Sequence, residues 1–153
     1  GVNHQHCCSQ VVGQLKSKFA DKFAIGIIDK DKVQLGYIQE CDVIAQTEHL
    51  TLMKHRERHQ YLITIAPAID KFVLDCAQEQ MVDVKAFGLP DELKRFTDET
   101  KRVSSNSDPR FKSLFAAIKN NNEMKSLKMA LKYLCENQYS SDSAYLRELF
   151  VAH

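Results

Sequence analysis

Phe23-Ala24-Ile25-Gly26-Ile27-Ile28-Asp29-Lys30-Asp31-Lys32 is an unbroken apolar run that stops at two acids one residue apart. A run this short, without polar alternation, reads as a strand buried on both faces, the arrangement of an α/β sheet. Acids at the carboxyl end of such a strand stand where open α/β sheets build their sites. Asp29 and Asp31 are therefore candidate ligands of a divalent cation. They point to opposite sides if the strand continues through them, and converge if the chain bends after Ile28. Two carboxylates with water and a phosphate suit Mg²⁺ or Mn²⁺. The ion would neutralise a phosphoryl group and activate water. The plainer reading of Asp29-Lys30-Asp31-Lys32 is a solvated turn leaving a buried strand.

Outward from this strand, His4–Lys18 reads as a helix, with Cys8, Val11, Val12, Leu15 and Phe19 at spacings of three and four. Downstream, Leu35, Ile38, Cys41 and Ile44 recur every third residue and predict a helix over 33–45, weakened by Gly36. Leu50–His55 and His59–Ala66 are rich in strand formers around a charged centre, a hairpin pattern. Pro67 closes the second strand and opens a helix over 68–80 with Ile69, Phe72, Val73, Cys76 and Ala77 apolar. Asp70 falls in its first turn, where an acid complements the helix dipole. If the preceding strand lies beside Phe23–Ile28, Asp70 also approaches Asp29. After Gly88-Leu89-Pro90 the pattern turns wholly helical: 91–101, a helix opened by Asp108-Pro109, one through Met124–Leu134, and a last short one after Ser143. The expectation is a single α/β domain over 1–153, with a small mixed sheet flanked by helices (1–88) and an all-helical C-terminal section (89–153).

The chain carries 21 basic and 20 acidic residues, so no global field recruits nucleic acid or an anionic membrane. No apolar stretch approaches the roughly 18 residues of a membrane span. Cys7, Cys8, Cys41, Cys76 and Cys135 are odd in number and widely spaced, a reduced cytoplasmic set rather than a disulfide framework. The chain opens on Gly1 rather than Met, which leaves room for a preceding element.

Other clusters invite chemistry. Lys54, Arg56 and Arg58, with His55 and His59, form a basic group that would hold a phosphate backbone if it stood near the acids, or a solvated hairpin tip if not. His55 and His59 have a metal-ligand spacing only on a helix, and here they flank a turn. His4, His6, Cys7 and Cys8 offer four zinc-type ligands in five residues, although the apolar period also claims Cys8 for the core. Lys112, Lys119, Lys125, Lys128 and Lys132 fit the solvated faces of core helices or a basic face for nucleic acid. The sequence contains no Walker loop, no Gly-x-Gly-x-x-Gly and no Gly-x-Ser-x-Gly.

A strand ending in Asp29-Lys30-Asp31, followed by Pro67-Ala68-Ile69-Asp70 opening a helix after another strand, resembles the Toprim domain of topoisomerases, primases and OLD-type nucleases. It is closer in size to the small stand-alone Toprim-like proteins of bacteria. The resemblance covers roughly residues 1–80. It implies metal-dependent phosphoryl transfer, a nuclease acting on nucleic acid, with Mg²⁺ or Mn²⁺ on Asp29 and Asp31 and with Asp70 adding a ligand or orienting water. Lys54, Arg56 and Arg58 would bind phosphate. The chain departs from the family in lacking a Glu-Gly segment on a strand before Asp29, and in placing an antiparallel hairpin at 50–66. The rival expectation is a non-catalytic module on the same scaffold, with the helical half as its protein-partner surface.

Overall fold

The computed structural model describes residues 2–4, 22–33, 35–102 and 108–151. Five strands form one mixed sheet in the order β1-β2-β5-β4-β3. They are β1 (Val2–His4), β2 (Ala24–Asp29), β3 (Cys41–Gln46), β4 (Leu50–His55) and β5 (Gln60–Ile65). β1, β2 and β5 run parallel, whereas β3 and β4 are antiparallel additions. Among the described residues, helices α1 (Leu35–Gln39), α2 (Ile69–Glu79), α3 (Leu93–Arg102), α4 (Pro109–Ala117), α5 (Asn122–Asn137) and α6 (Ser143–Val151) join the strands with three short 3-10 turns. This is the α/β architecture expected, with helices flanking the sheet and an all-helical section after it.

The run at 23–28 is a strand buried on both faces. Phe23, Ile25 and Ile27 enter the larger apolar cluster, with Tyr61, Ile63 and Ile65 from β5 and Phe72, Val73 and Cys76 from α2. Ala24 and Ile28 turn the other way, to Tyr37, Met53 and Leu62. The two-residue period therefore separates the faces even though no polar residue marks it. The larger cluster continues without a break into Phe96, Phe111, Leu114, Leu127, Leu134 and Leu146 of the C-terminal helices.

One expectation fails. The helix over 33–45 is instead the single turn-and-a-half of α1 followed by β3. The threefold spacing does not describe one buried face: Ile38 and Cys41 pack with the smaller cluster, Ile44 joins the larger, and Leu35 is exposed. Pairing of β3 with β4, with a register shift between Val43 and Ala45, overrides the helical period. At the start, β1 pairs parallel to β2 and His4 stands opposite Ile27, so a strand precedes Asp29. The helix expected over His4–Lys18 lies, apart from His4, outside the described residues. The hairpin, the helix after Pro67, and the helix capped by Asp108 with Pro109 in its first turn all form as read.

Candidate acidic cleft and histidine cluster

β2 and β5 are parallel neighbours with Asp29 opposite Ile65, so the carboxyl ends of both strands meet at one edge. The backbone bends after Asp29 into a 3-10 turn, Lys30–Lys32. The Asp31 N–H donates to the Pro67 carbonyl at 3.4 Å and ties this turn to the β5–α2 connection. Asp29, Asp31 and Asp70 consequently line one cleft of about 380 Å³, walled by Lys32, Thr100 and Lys101. Asp31 is exposed, whereas Asp29 and Asp70 are half-buried.

Each half-buried acid has a local partner. The Ile69 N–H donates to Asp29 Oδ1 at 2.8 Å, so this carboxylate holds the first turn of α2. Lys32 Nζ lies 3.7 Å from Asp29 Oδ2. The Thr100 hydroxyl is 3.3 Å from Asp70 Oδ2 and so joins α3 to α2. The three carboxylates share a cleft but do not close to within 4.8 Å of one another as a triad.

The basic group stands elsewhere. Lys54, near the end of β4, and Arg56 and Arg58, in the β4–β5 turn, stand at the amino end of β5, so the length of the strand separates them from Asp29. At ~3.3 Å per residue that is about 16 Å. Arg56 pairs with Asp42 at 3.1 Å, and Lys54 Nζ donates to the His55 carbonyl at 3.0 Å. The strand directions thus set these cations at the opposite end of the sheet from the acids. His55 is buried, and its Nδ1 accepts the Glu57 and Arg58 N–H groups at 3.1 and 3.2 Å while Nε2 meets Glu40. His59 packs edge-on against Tyr139. These two histidines shape the hairpin rather than a metal site. Lys112, Lys119, Lys128 and Lys132 are solvent-exposed and Lys125 is half-buried. Of the zinc-type group, His6, Cys7 and Cys8 lie outside the described residues, and the His4 backbone is in β1.

A second cluster shares the acidic edge. The β3–β4 turn brings Glu48 and His49 beside the end of β5, where the Ala66 N–H donates to the His49 carbonyl at 2.7 Å. Glu123, in the first turn of α5, reaches the same point. His49 Nδ1 lies 2.6 Å from Glu123 Oε1, and His49 Nε2 lies 3.3 Å from Asp75 Oδ2. The Thr47 hydroxyl and the His49 N–H both donate to Glu123 Oε2. Burial alone would lower the imidazole pKa, but the hydrogen bond to Glu123 and the charges of Glu123, Glu48 and Asp75 hold it above the ordinary value. Burial likewise opposes ionisation of Glu123, yet its hydrogen bonds from Thr47 and His49 keep its pKa below normal. Among the described residues this is the group with three ligand atoms mutually within 4.8 Å: Glu48, His49 and Glu123.

No protein-family model, curated protein or solved structure matches the chain. Among the described residues, the two clusters at this edge are the chemistry-bearing groups of the fold. Sequence reasoning missed the second, because its members lie 74 residues apart and no local spacing joins them. The available signal was weak: a histidine between two strands, and an acid two residues after the Asn121 that caps α5. Cys41 and Cys76 are held as thiols rather than thiolates. Burial, reinforced by the charge of Glu79, pushes Cys76 up to about 12, and burial with the charge of Glu40 pushes Cys41 up to about 11.

Proposed function

We propose that the cleft at the carboxyl edge of β2 and β5 binds Mg²⁺ or Mn²⁺ with a phosphorylated ligand, and that the protein is a Toprim-like phosphoryl-transfer protein acting on nucleic acid. The observation that carries this reading is the meeting of Asp29 and Asp31 with Asp70, from a second stretch of the chain, in one cleft. Mg²⁺ keeps several waters and needs only one or two carboxylates beside the phosphate, so a closed triad is not required. Asp31, exposed on the 3-10 turn, is the direct ligand. Asp29 contributes its Oδ2 edge, and Asp70 orients water from the wall. Lys32 and Lys101 take the phosphate-facing role that the distant hairpin cations do not. The bound ion would supply charge neutralisation at the phosphoryl group.

A second reading is favoured by one specific observation: Asp29 already serves Ile69 and Lys32 as a structural acid would. In that reading the scaffold is a non-catalytic interaction module. Calorimetric titration of Mg²⁺, alone and with an oligonucleotide, separates the two. The phosphoryl-transfer reading expects saturable binding that disappears in Asp31→Asn with the circular dichroism spectrum unchanged, and strand cleavage that disappears with it. Equal binding by Asp31→Asn and the parent chain, or none by either, hands the scaffold to the module reading.

A further inference from the structure

We infer that Glu48, His49 and Glu123 form a separate site for a first-row transition ion of the zinc class, with Asp75 as its outer-sphere carboxylate. Three features carry it. The donors come from two elements, the β3–β4 turn and the first turn of α5, and their ligand atoms lie within 4.8 Å of one another. Ligands about 2.0–2.2 Å from a tetrahedral ion stand roughly 3.3 Å apart, so closure asks for only a small movement, chiefly of the exposed Glu48 side chain. Nδ1 of His49 and Oε1 of Glu123, now 2.6 Å apart, would separate slightly as the ion replaces their hydrogen bond.

The second feature is that both inner ligands are already oriented from behind. The His49 ring packs on Phe72, with ring centres 5.5 Å apart, and its Nε2 faces Asp75 at 3.3 Å. An imidazole that binds metal through one nitrogen while the other faces a carboxylate has the usual outer-sphere arrangement of zinc histidines. Glu123 Oε2 is likewise occupied by the Thr47 hydroxyl and the His49 N–H, which leaves Oε1 aimed at the ring. His49 and Glu123 are only 13% and 15% exposed, so this orientation is held by packing.

The third feature is chemical. An imidazole nitrogen with two carboxylates suits Zn²⁺, Co²⁺ or Mn²⁺ and is a poor set for Mg²⁺, which takes oxygen ligands. Three carboxylates surround the one imidazole, and the cation beside them, Lys71, is paired with Asp75 at 2.8 Å. Glu48 stands at the mouth, between a shallow hollow of Lys30, Asp31, Ala66 and Pro67 and a second hollow of about 250 Å³ beside Glu79. A fourth coordination position therefore faces open space. Asp31 belongs both to that shallow hollow and to the acidic cleft, so the two sites are neighbours with different donors.

The test is titration of the chelator-stripped chain, residues 1–153, with Zn²⁺, and with Co²⁺ followed by visible absorption. One equivalent is expected, with a Co²⁺ spectrum that lacks a thiolate charge-transfer band. Glu48→Gln, at an exposed position that tolerates substitution, should weaken Zn²⁺ binding about tenfold or more, Asp75→Asn by about tenfold, and His49→Gln should abolish it. Cys7→Ser/Cys8→Ser and Asp31→Asn should each retain the equivalent, and Asp31→Asn separates this result from the fate of the acidic cleft. Unchanged Zn²⁺ affinity in both Glu48→Gln and His49→Gln, a thiolate band, or loss of the ion in the double-serine variant would each overturn the site.

Discussion

Asp29 has two tasks that can be separated by substitution. Its Oδ1 accepts the Ile69 N–H and fixes the start of α2, whereas its Oδ2 faces Lys32 and the cleft. Loss of a side chain that satisfies a helix N-terminal donor costs about 1 kcal/mol. Asp29→Ala should therefore lower the urea unfolding free energy by that amount, whereas Asp29→Asn, which keeps an acceptor oxygen, should remain close to the parent. Mg²⁺ binding should fall in both. If Asp29→Asn loses as much stability as Asp29→Ala, the charge rather than the hydrogen bond anchors α2, and the effect belongs to the helix dipole. His55 makes the same point from the other side. A histidine in a metal-like spacing is spent on two backbone N–H groups of a turn, and only its hydrogen bonds reveal that.

At the scale of elements, legibility followed the number of independent signals. α4 was readable because Asp108 and Pro109 mark its start and Phe111 and Leu114 its buried face. The β4–β5 hairpin was readable because strand formers flank a charged turn. β3 was not, since Val43 and Ile44 favour a strand while Ala45 and Gln46 favour a helix, and its identity depends on a partner strand that sequence cannot place. Edge position explains the weak signal further: β3 pairs on one side only, and part of its open side is met by Arg147 of α6, whose Nε donates to the Ile44 carbonyl at 3.0 Å. A comparable tie joins α3 to α4. Arg110 donates to Glu99 at 2.6 Å and to Asp108 at 2.8 Å. Hydrogen bonds from Arg102 and Arg110 hold the Glu99 carboxyl below its usual pKa, and those from Arg110 do the same for Asp108. A depressed folded-state pKa gives stability that is present above the unfolded value and is lost as pH falls through the folded one. The parent chain should therefore lose more stability than Arg110→Gln as pH drops from about 5 to about 3. The two should converge at the acid end of urea titrations, and parallel curves would show the network to be energetically silent.

Across the whole molecule, the candidate sites divide by how far apart their residues lie in the chain. The acidic cleft was legible because each acid follows a strand end or opens a helix, and parallel pairing of β2 and β5 then brings these ends together without further information. Glu48, His49 and Glu123 depend on the docking of α5 against the β3–β4 turn, a tertiary event with no local trace. That docking has an energetic consequence, because one apolar cluster runs from Ile25 and Ile63 in the sheet through Phe72 to Phe111 and Leu134 in the helical section. A shared core couples its parts in one cooperative transition. Leu134 of α5 is fully buried. Leu134→Ala should cost about 2–5 kcal/mol through lost burial and the cavity left behind. Because the core is shared, the loss should not stay in the helices. Native-state hydrogen exchange should show β5 amides at Leu62 and Ile63 losing protection by the same free energy as amides in α5, with a single urea transition. Loss confined to α4–α6, with β5 unchanged, would show that the helical section opens on its own. The histidine cluster would then be assembled by a part that can leave while the acidic cleft stays intact.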